Sequence, residues 1–195
     1  MAENEEMQIM DNITKLQEEY YTKNNKNVFL KKNQKYECAN MISQQIDISL
    51  LFNKTLYVLN KGDIYFDYMM LKTYIHPELF SNFLEYVNKI SSEYIEIISQ
   101  YSLHLNINSL TISAFERYWP LVQQILYNYP VTGTKMQKTY IYYTPSIAEQ
   151  ILKIISPYIT NIKNKLVFYS KTESPEKINE LFSFENVVKD VNTNT

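Results

Sequence analysis

Glycine is nearly missing from this chain: 195 residues include two, Gly62 and Gly133. A dinucleotide-binding fingerprint needs three glycines within one turn, and a P-loop needs two flanking its phosphate cradle. With the two so far apart, neither motif exists here. Cysteine is scarcer still, and the single Cys38 excludes an internal disulfide and any multi-cysteine metal site. It has no adjacent histidine and reads as a small apolar packing residue. The two histidines, His76 and His104, show no H-x-x-H or H-E-x-x-H spacing, so they read as structural or surface residues rather than ligands. No segment approaches the ~20 unbroken apolar residues that a membrane span requires. The opening "MAENEEMQIMDN" is acidic and lacks the apolar run of a signal peptide, so a cytoplasmic protein is expected. A formal charge of -2 exerts no general pull toward nucleic acid or acidic membranes.

What is present is ordinary in amount: 45% hydrophobic and 21% charged residues, as in a globular chain. One domain of this length buries roughly 70% of its unfolded surface. The 18 tyrosines stand out. Together with the many Asn, Ile and Lys residues they follow from AT-rich codons, which accounts for them without a functional role.

Along the chain, residues 1–19 carry Met7, Met10, Ile13 and Leu16 at near-helical spacing, and the basic, Asn-rich "YYTKNNKNVFLKKNQK" at 20–35 reads as a linker or a short frayed helix. "TLYVLNKGDIYFDYMML" predicts a strand, a turn at Asn60 to Asp63 and a second, aromatic strand. A helix follows from Pro77, with Phe80, Phe83, Leu84, Val87 and Ile90 on its apolar face. "SLHLNI" alternates as a strand should. Ser113 with Glu116 suggests a capping box, and Pro120 a kink or restart; Leu121, Val122, Ile125 and Leu126 form that helix's face. A loop is expected from Tyr129 to Lys138. Tyr140 to Tyr143 then predict a strand, Thr144 an N-cap and Pro145 the first residue of a helix that Pro157 ends. "KLVFYS" gives a last strand and Ser174-Pro175 opens a last helix. Short apolar strands alternating with helices predict an α/β fold with a largely parallel sheet flanked by helices.

Chemistry-bearing patterns are few. His104 and Asp67 could join a Ser-His-Asp arrangement, but no G-x-S-x-G elbow presents a serine, so no catalytic residue is expected. Lys23, Lys26, Lys31, Lys32 and Lys35 interleave with Tyr20, Tyr21 and Phe29, the composition of a single-strand nucleic-acid patch. Acidic residues stand directly upstream, and a solvated linker explains the lysines as well, so nucleic acid is not expected as a partner.

From Asn60 onward the succession of segments resembles the CRAL-TRIO (Sec14-like) lipid-binding domain family. "NKGDIYFDYMML" is similar to the family's D-x-x-G-R-P-V turn and strand. "LHLNINSLTIS" is similar to V-D-L-x-G-L-S, with Asn106 for Asp and Ser109 for Gly. "LVQQILYNYP" resembles the helix ending in Y-P, and "YIYYTPSIAEQILKIISPYIT" resembles Y-I-I-N-A-P followed by an amphipathic helix and K-P-F-L. "NKLVFYS" and "SPEKINELFSFENVV" stand for the last strand and the closing helix. The chain departs from the family in lacking the terminal Gly-Gly and most of the preceding helical segment. Ser156 stands where phosphatidylinositol-binding members carry a lysine before the proline, and Pro120–Leu121 where they carry a glutamate.

The resemblance implies an apolar pocket under an amphipathic gate helix, within a domain spanning 46–191. Residues 1–45 would form a helical or linker extension and 192–195 a polar tail. It implies binding, and intracellular transfer, of a lipid or other hydrophobic small molecule, with transient membrane contact, no cofactor, no metal and no covalent catalysis. The expected ligand-binding residues are Tyr65, Leu103, Leu105, Tyr140, Tyr142, Ile147, Ile151, Ile155 and Tyr158. The alternative is a protein-interaction module that keeps the fold with its pocket filled by tyrosine and phenylalanine. A dry core made by the same apolar residues is the simpler reading of their periodicity.

Overall fold

A five-stranded sheet carries the fold in this computed structural model, which describes residues 2–24, 31–59, 63–95, 97–132, 135–159 and 163–192. Its strands β1 (Leu56–Val58), β2 (Asp63–Asp67), β3 (Tyr101–Asn106), β4 (Met136–Tyr142) and β5 (Leu166–Phe168) lie side by side in chain order. β1 and β2 pair antiparallel, and β2 through β5 are parallel. Among the described residues eight α-helices flank the sheet: α1 (Ala2–Lys23), α2 (Lys31–Gln45), α3 (Ile48–Thr55), α4 (Tyr68–Tyr74), α5 (Phe80–Ile90), α6 (Ile112–Thr132), α7 (Ala148–Ile155) and α8 (Ser174–Asn192). The fold is mixed α/β with a mostly parallel sheet.

Helix starts are set by side chains that satisfy the free N–H groups of a first turn. Asp47 caps α3, its Oδ1 accepting from the N–H groups of Ser49 and Leu50. Asp67 does the same for α4, accepting from Met69 and Met70 at 2.6 and 3.1 Å. That cap ends β2, so Tyr68 to Leu71 are helical where the aromatic run predicts strand. The cap of α6 is Thr111, whose Oγ1 accepts from Ala114 N at 3.3 Å, not Ser113. α6 passes through Pro120 unbroken and reaches Thr132, so residues 129–132 are helical where a loop is expected. β4 accordingly begins at Met136, ahead of the expected Tyr140.

Of the two readings of residues 20–35, linker or short helix, the helical one applies at both ends, with α1 running to Lys23 and α2 starting at Lys31; residues 25–30 lie outside the described ones. Tyr20 explains why. It is buried, and its hydroxyl donates to Glu37 Oε2 at 2.5 Å, tying α1 to α2. The turn predicted at Asn60 to Asp63 falls mostly outside the described residues, but Leu59 N donates to Asp63 O at 2.8 Å across it.

One apolar cluster joins these parts. It runs from Ile9 and Ile13 on α1 through Ile42 on α2, Leu51 on α3, Tyr74 on α4 and Phe83 on α5 to Leu121 on α6 and Ile64 on β2. The core is therefore continuous across residue 45. Buried Tyr74 keeps its hydroxyl paired with Thr55 Oγ1 at 2.8 Å, as a buried polar group must.

Ser174 pins the end of β4. It is fully buried; its Oγ donates to Ser170 O at 2.6 Å and accepts from Tyr143 N at 2.6 Å. Tyr143 has φ 54°, a left-handed conformation that costs a non-glycine residue roughly 1–2 kcal/mol. Replacing Ser174 with Ala strands that N–H, and a loss of about 1–3 kcal/mol is expected from urea denaturation. An unchanged midpoint would show that this N–H is satisfied in some other way.

Candidate functional site

Register decides which side chains meet on each face of the sheet. Ile64 pairs with Leu103, Leu103 with Thr139 and Thr139 with Leu166, and the next row on the same face is Phe66, Leu105, Ile141 and Phe168. This face is aliphatic. The intervening row, Tyr65, His104 and Tyr140, points the other way with Tyr142, because side chains alternate along a strand. A register shift between Tyr101 and Ser102 puts one extra residue into β4 and lets Met136 and Thr139 share the aliphatic face despite their odd spacing.

Over the aliphatic face lies a cavity of about 870 Å³. The sheet forms its floor with Ile64, Phe66, Leu103, Leu105, Thr139 and Ile141. Its walls are Phe83, Val87 and Ile90 of α5, Val122, Ile125 and Leu126 of α6, and Leu152 and Ile155 of α7. The π-helical turn after α5 (Ser91–Ile95) adds Ser91, Ser92 and Ile95. Beside them Glu85, Asn88 and Lys89 are exposed, so the lining turns polar where the cavity reaches solvent. An empty apolar void of this size would cost on the order of 20 kcal/mol at the penalty seen in cavity mutants, more than a domain's whole stability. Such a space holds either solvent entering from the polar rim or a ligand.

α7 covers part of the cavity on weak terms. None of its eight residues is buried, and Ile154 is 39% exposed. It starts at Ala148, later than expected from the sequence: Thr144 Oγ1 bonds back to Ile141 O at 3.2 Å, and Pro145 O accepts from Ala148 N in a turn. Ile147, expected inside the helix, is its N-cap and supplies no side-chain bond. A short helix without a side-chain cap or buried anchor ranks among the least stable elements of a fold.

Of the nine expected ligand-binding residues, Leu103, Leu105 and Ile155 line the cavity. Ile147, Ile151 and Tyr158 do not: of the neighbouring apolar residues of α7 it is Leu152, with Ile155, that lines the cavity, while Tyr158 packs edge-on against Trp119 at 5.8 Å. Tyr65, Tyr140 and Tyr142 stand on the opposite face of the sheet, and Tyr65 meets Phe182 of α8 at 5.2 Å. The lining residues Ile64, Phe66 and Ile141 share the parity of Leu103 and Leu105, and that shared alternation was the signal for them. Val122, Ile125 and Leu126 lie on the apolar face already evident in α6.

The opposite face is a ring stack. His104 lies between Tyr140 and Tyr142 at 4.8 and 5.9 Å, and Tyr169 stacks on both tyrosines. His104 Nδ1 is 2.8 Å from the Tyr142 hydroxyl, and Nε2 is 3.4 Å from Asp63 Oδ1. Asp63, not Asp67, is thus the carboxylate beside this histidine; Asp67 is committed to the α4 cap and to Asn106. Burial holds the Tyr65, Tyr140 and Tyr142 hydroxyls above their ordinary range, so they remain protonated. Among the described residues no group of three His, Cys, Asp or Glu side chains could hold a metal ion, and no helix is long and apolar enough to cross a membrane. Tyr20, one of the aromatics in the basic patch, is in the core and not free to stack on a base. Comparisons of the chain with family models, curated proteins and solved structures found no match.

Cys38 and His76 are buried packing residues. Burial pushes the Cys38 thiol up to about 11, which leaves almost no thiolate at neutral pH. Native protein at pH 8 should react with a thiol reagent at a small fraction of the rate seen in urea; equal rates would contradict that burial. Burial also holds His76 below its ordinary value of 6.5, with Ser43 Oγ 3.2 Å from Nε2. The unfolded chain then binds this proton first. The His76 contribution is present above about pH 6.5 and is lost as pH falls toward the lower folded-state value. His76→Gln should flatten the fall in urea midpoint between about pH 7 and 5; an identical slope in the variant would assign it elsewhere.

Proposed function

We propose that this chain binds one hydrophobic small molecule or single lipid in the cavity between the aliphatic sheet face and α5, α6 and α7, and carries it between membranes in the manner of a CRAL-TRIO-type domain. The observation that supports this best is the cavity itself. Its 870 Å³ lies near the upper end of the range for small-molecule sites, roughly 300–1,000 Å³, and most of its lining is Leu, Ile, Val and Phe. Burial supplies adequate affinity: each methylene is worth about 0.8 kcal/mol, so a sixteen-carbon chain gains on the order of 12 kcal/mol before ordering costs.

Two further features support the CRAL-TRIO reading. Ser109 has φ 61° at the position where the resemblance gives a glycine, a backbone geometry that explains why glycine would be usual there. α7, between β4 and β5, occupies the place of the gate helix, and its shallow seating suits a lid that opens. The interaction-module alternative needs tyrosines inside the pocket. Tyr65, Tyr140 and Tyr142 are on the other face and Tyr101 is the one tyrosine among the lining residues, which favours the carrier.

Native mass spectrometry with organic extraction should show one lipid-like molecule per chain, or uptake of one from a mixed-lipid challenge. Ile125→Trp and Leu105→Trp, which project into the cavity, should reduce uptake by at least about tenfold. Tyr140→Phe, on the far face, should leave it unchanged. A clean apo mass with no uptake from any lipid class would refute the carrier reading.

A further inference from the structure

The group least provided for in this molecule lies outside the cavity. Arg117, in the second turn of α6, is 8% exposed, and its Nε is buried without a hydrogen-bond partner. Tyrosines surround it. The guanidinium carbon is 5.5 Å from the Tyr118 ring centre, the Tyr118 hydroxyl bonds to the Arg117 side chain, and the arginine's charge bears on Tyr21, Tyr36 and Tyr68. These phenols cannot serve as counter-ions, since burial raises all four above their ordinary range and keeps them neutral. A guanidinium stays charged at physiological pH, and a buried charge without an opposite charge is strongly unfavourable.

Two lysines lie close by: Tyr36, next to Lys35 on α2, donates its hydroxyl to Arg117 O at 2.9 Å, and Tyr68, beneath Lys72, meets the Tyr118 ring at 6.3 Å. Lys35 of α2 and Lys72 of α4 are half-buried, and the Lys35 ammonium is held below its ordinary range by burial first and then by the charges of Arg117, Lys31 and Lys72. Lys72 Nζ donates to Ser109 Oγ at 2.7 Å and sits 5.8 Å over the Tyr68 ring. The nearest carboxylate charge, that of Asp67, acts on Lys72 but is committed to the α4 cap and to Asn106. The ion pairs of the described residues, Lys89–Glu93, His104–Asp63 and Lys177–Glu180, all lie elsewhere. None of these cations lines the cavity. Lys72 lies on the helix that follows β2 and Arg117 on the helix that follows β3.

We infer that Arg117, Lys35 and Lys72 form a binding site for a phosphate-bearing anion, separate from the apolar cavity. An anion's oxygen would supply the acceptor that Arg117 Nε lacks, and two ammonium groups supply point charges for the rest. A dianionic ligand would also balance three cations whose one carboxylate neighbour among the described residues, Asp67, is shared with the α4 cap and Asn106.

The test uses the full chain in phosphate-free buffer at low ionic strength, probed with inorganic phosphate, glycerol phosphate, and phosphatidylcholine vesicles with or without phosphatidic acid. Phosphate or glycerol phosphate should raise the melting temperature saturably, beyond chloride at equal ionic strength. Lys35→Ala and Lys72→Ala should each weaken that response by about tenfold. Arg117→Met should melt higher than the wild type without phosphate and ignore its addition, because the variant has no uncompensated charge to neutralise. Response to the soluble anions alone would identify a soluble phosphorylated ligand. Capture by phosphatidic acid vesicles that Lys35→Ala abolishes would identify a lipid headgroup. No saturable response to any probe, or one that both lysine variants leave intact, overturns the proposal.

Discussion

Side-chain alternation across a fixed parallel register is the constraint on which the rest of this structure depends. The parallel strands place mostly Leu, Ile and Phe on one side and Tyr65, His104, Tyr140 and Tyr142 on the other, and the register keeps those tyrosines and the histidine together from β2 to β4. A slip of one residue would turn Tyr65, His104 and Tyr140 toward α5, α6 and α7, and rings would fill the space the cavity occupies. Where the register does shift, at the bulge beside Tyr101, the extra residue in β4 restores the division by bringing Thr139 level with Leu103.

The two faces consequently pack by different physics. On the aromatic face flat rings stack and leave little space, with His104 held between tyrosines and bonded at both nitrogens. On the aliphatic face branched side chains meet helices that do not close down on them. The π-helical turn after α5 widens the helical path where the lining becomes polar, and such turns recur at functional positions. A helix with no buried residue, α7, roofs one side.

The strands and the helices from α5 onward were legible in order because they rest on periodicity, whereas α4 was hidden in the aromatic run that reads as strand; the aliphatic parity of Leu103 and Leu105 was legible too. The division of the tyrosines was not. "YIYY" alternates, but which of its residues faces the helices depends on pairing with β3, and a bulge in that pairing leaves no mark in β4's own sequence. The start of α7 was hidden for a similar reason. Thr144-Pro145 has the chemistry of a cap, yet Thr144 spends its hydroxyl on Ile141 O and the helix begins three residues later. Arg117 was invisible as a site because an isolated arginine carries no pattern; burial without a counter-charge exists only in three dimensions.

A fold with one hollow face must draw its stability from elsewhere, and the burial pattern shows from where. The largest fully buried side chains, among them Ile13, Ile42, Leu51, Tyr74, Phe83 and Leu121, lie on α1 to α6 and not on α7, although Phe83 also borders the cavity. Each such side chain is worth roughly 1.5–3 kcal/mol of burial. The N-terminal helices therefore act as structural members. Ile13 of α1 and Ile42 of α2 belong to the same cluster as Ile64, Phe83 and Ile90, which also border the cavity, so the packed core and the cavity lining share one set of side chains. Burial on the N-terminal helices thus holds the sheet residues that carry the register, while α7 contributes no buried residue to that cluster.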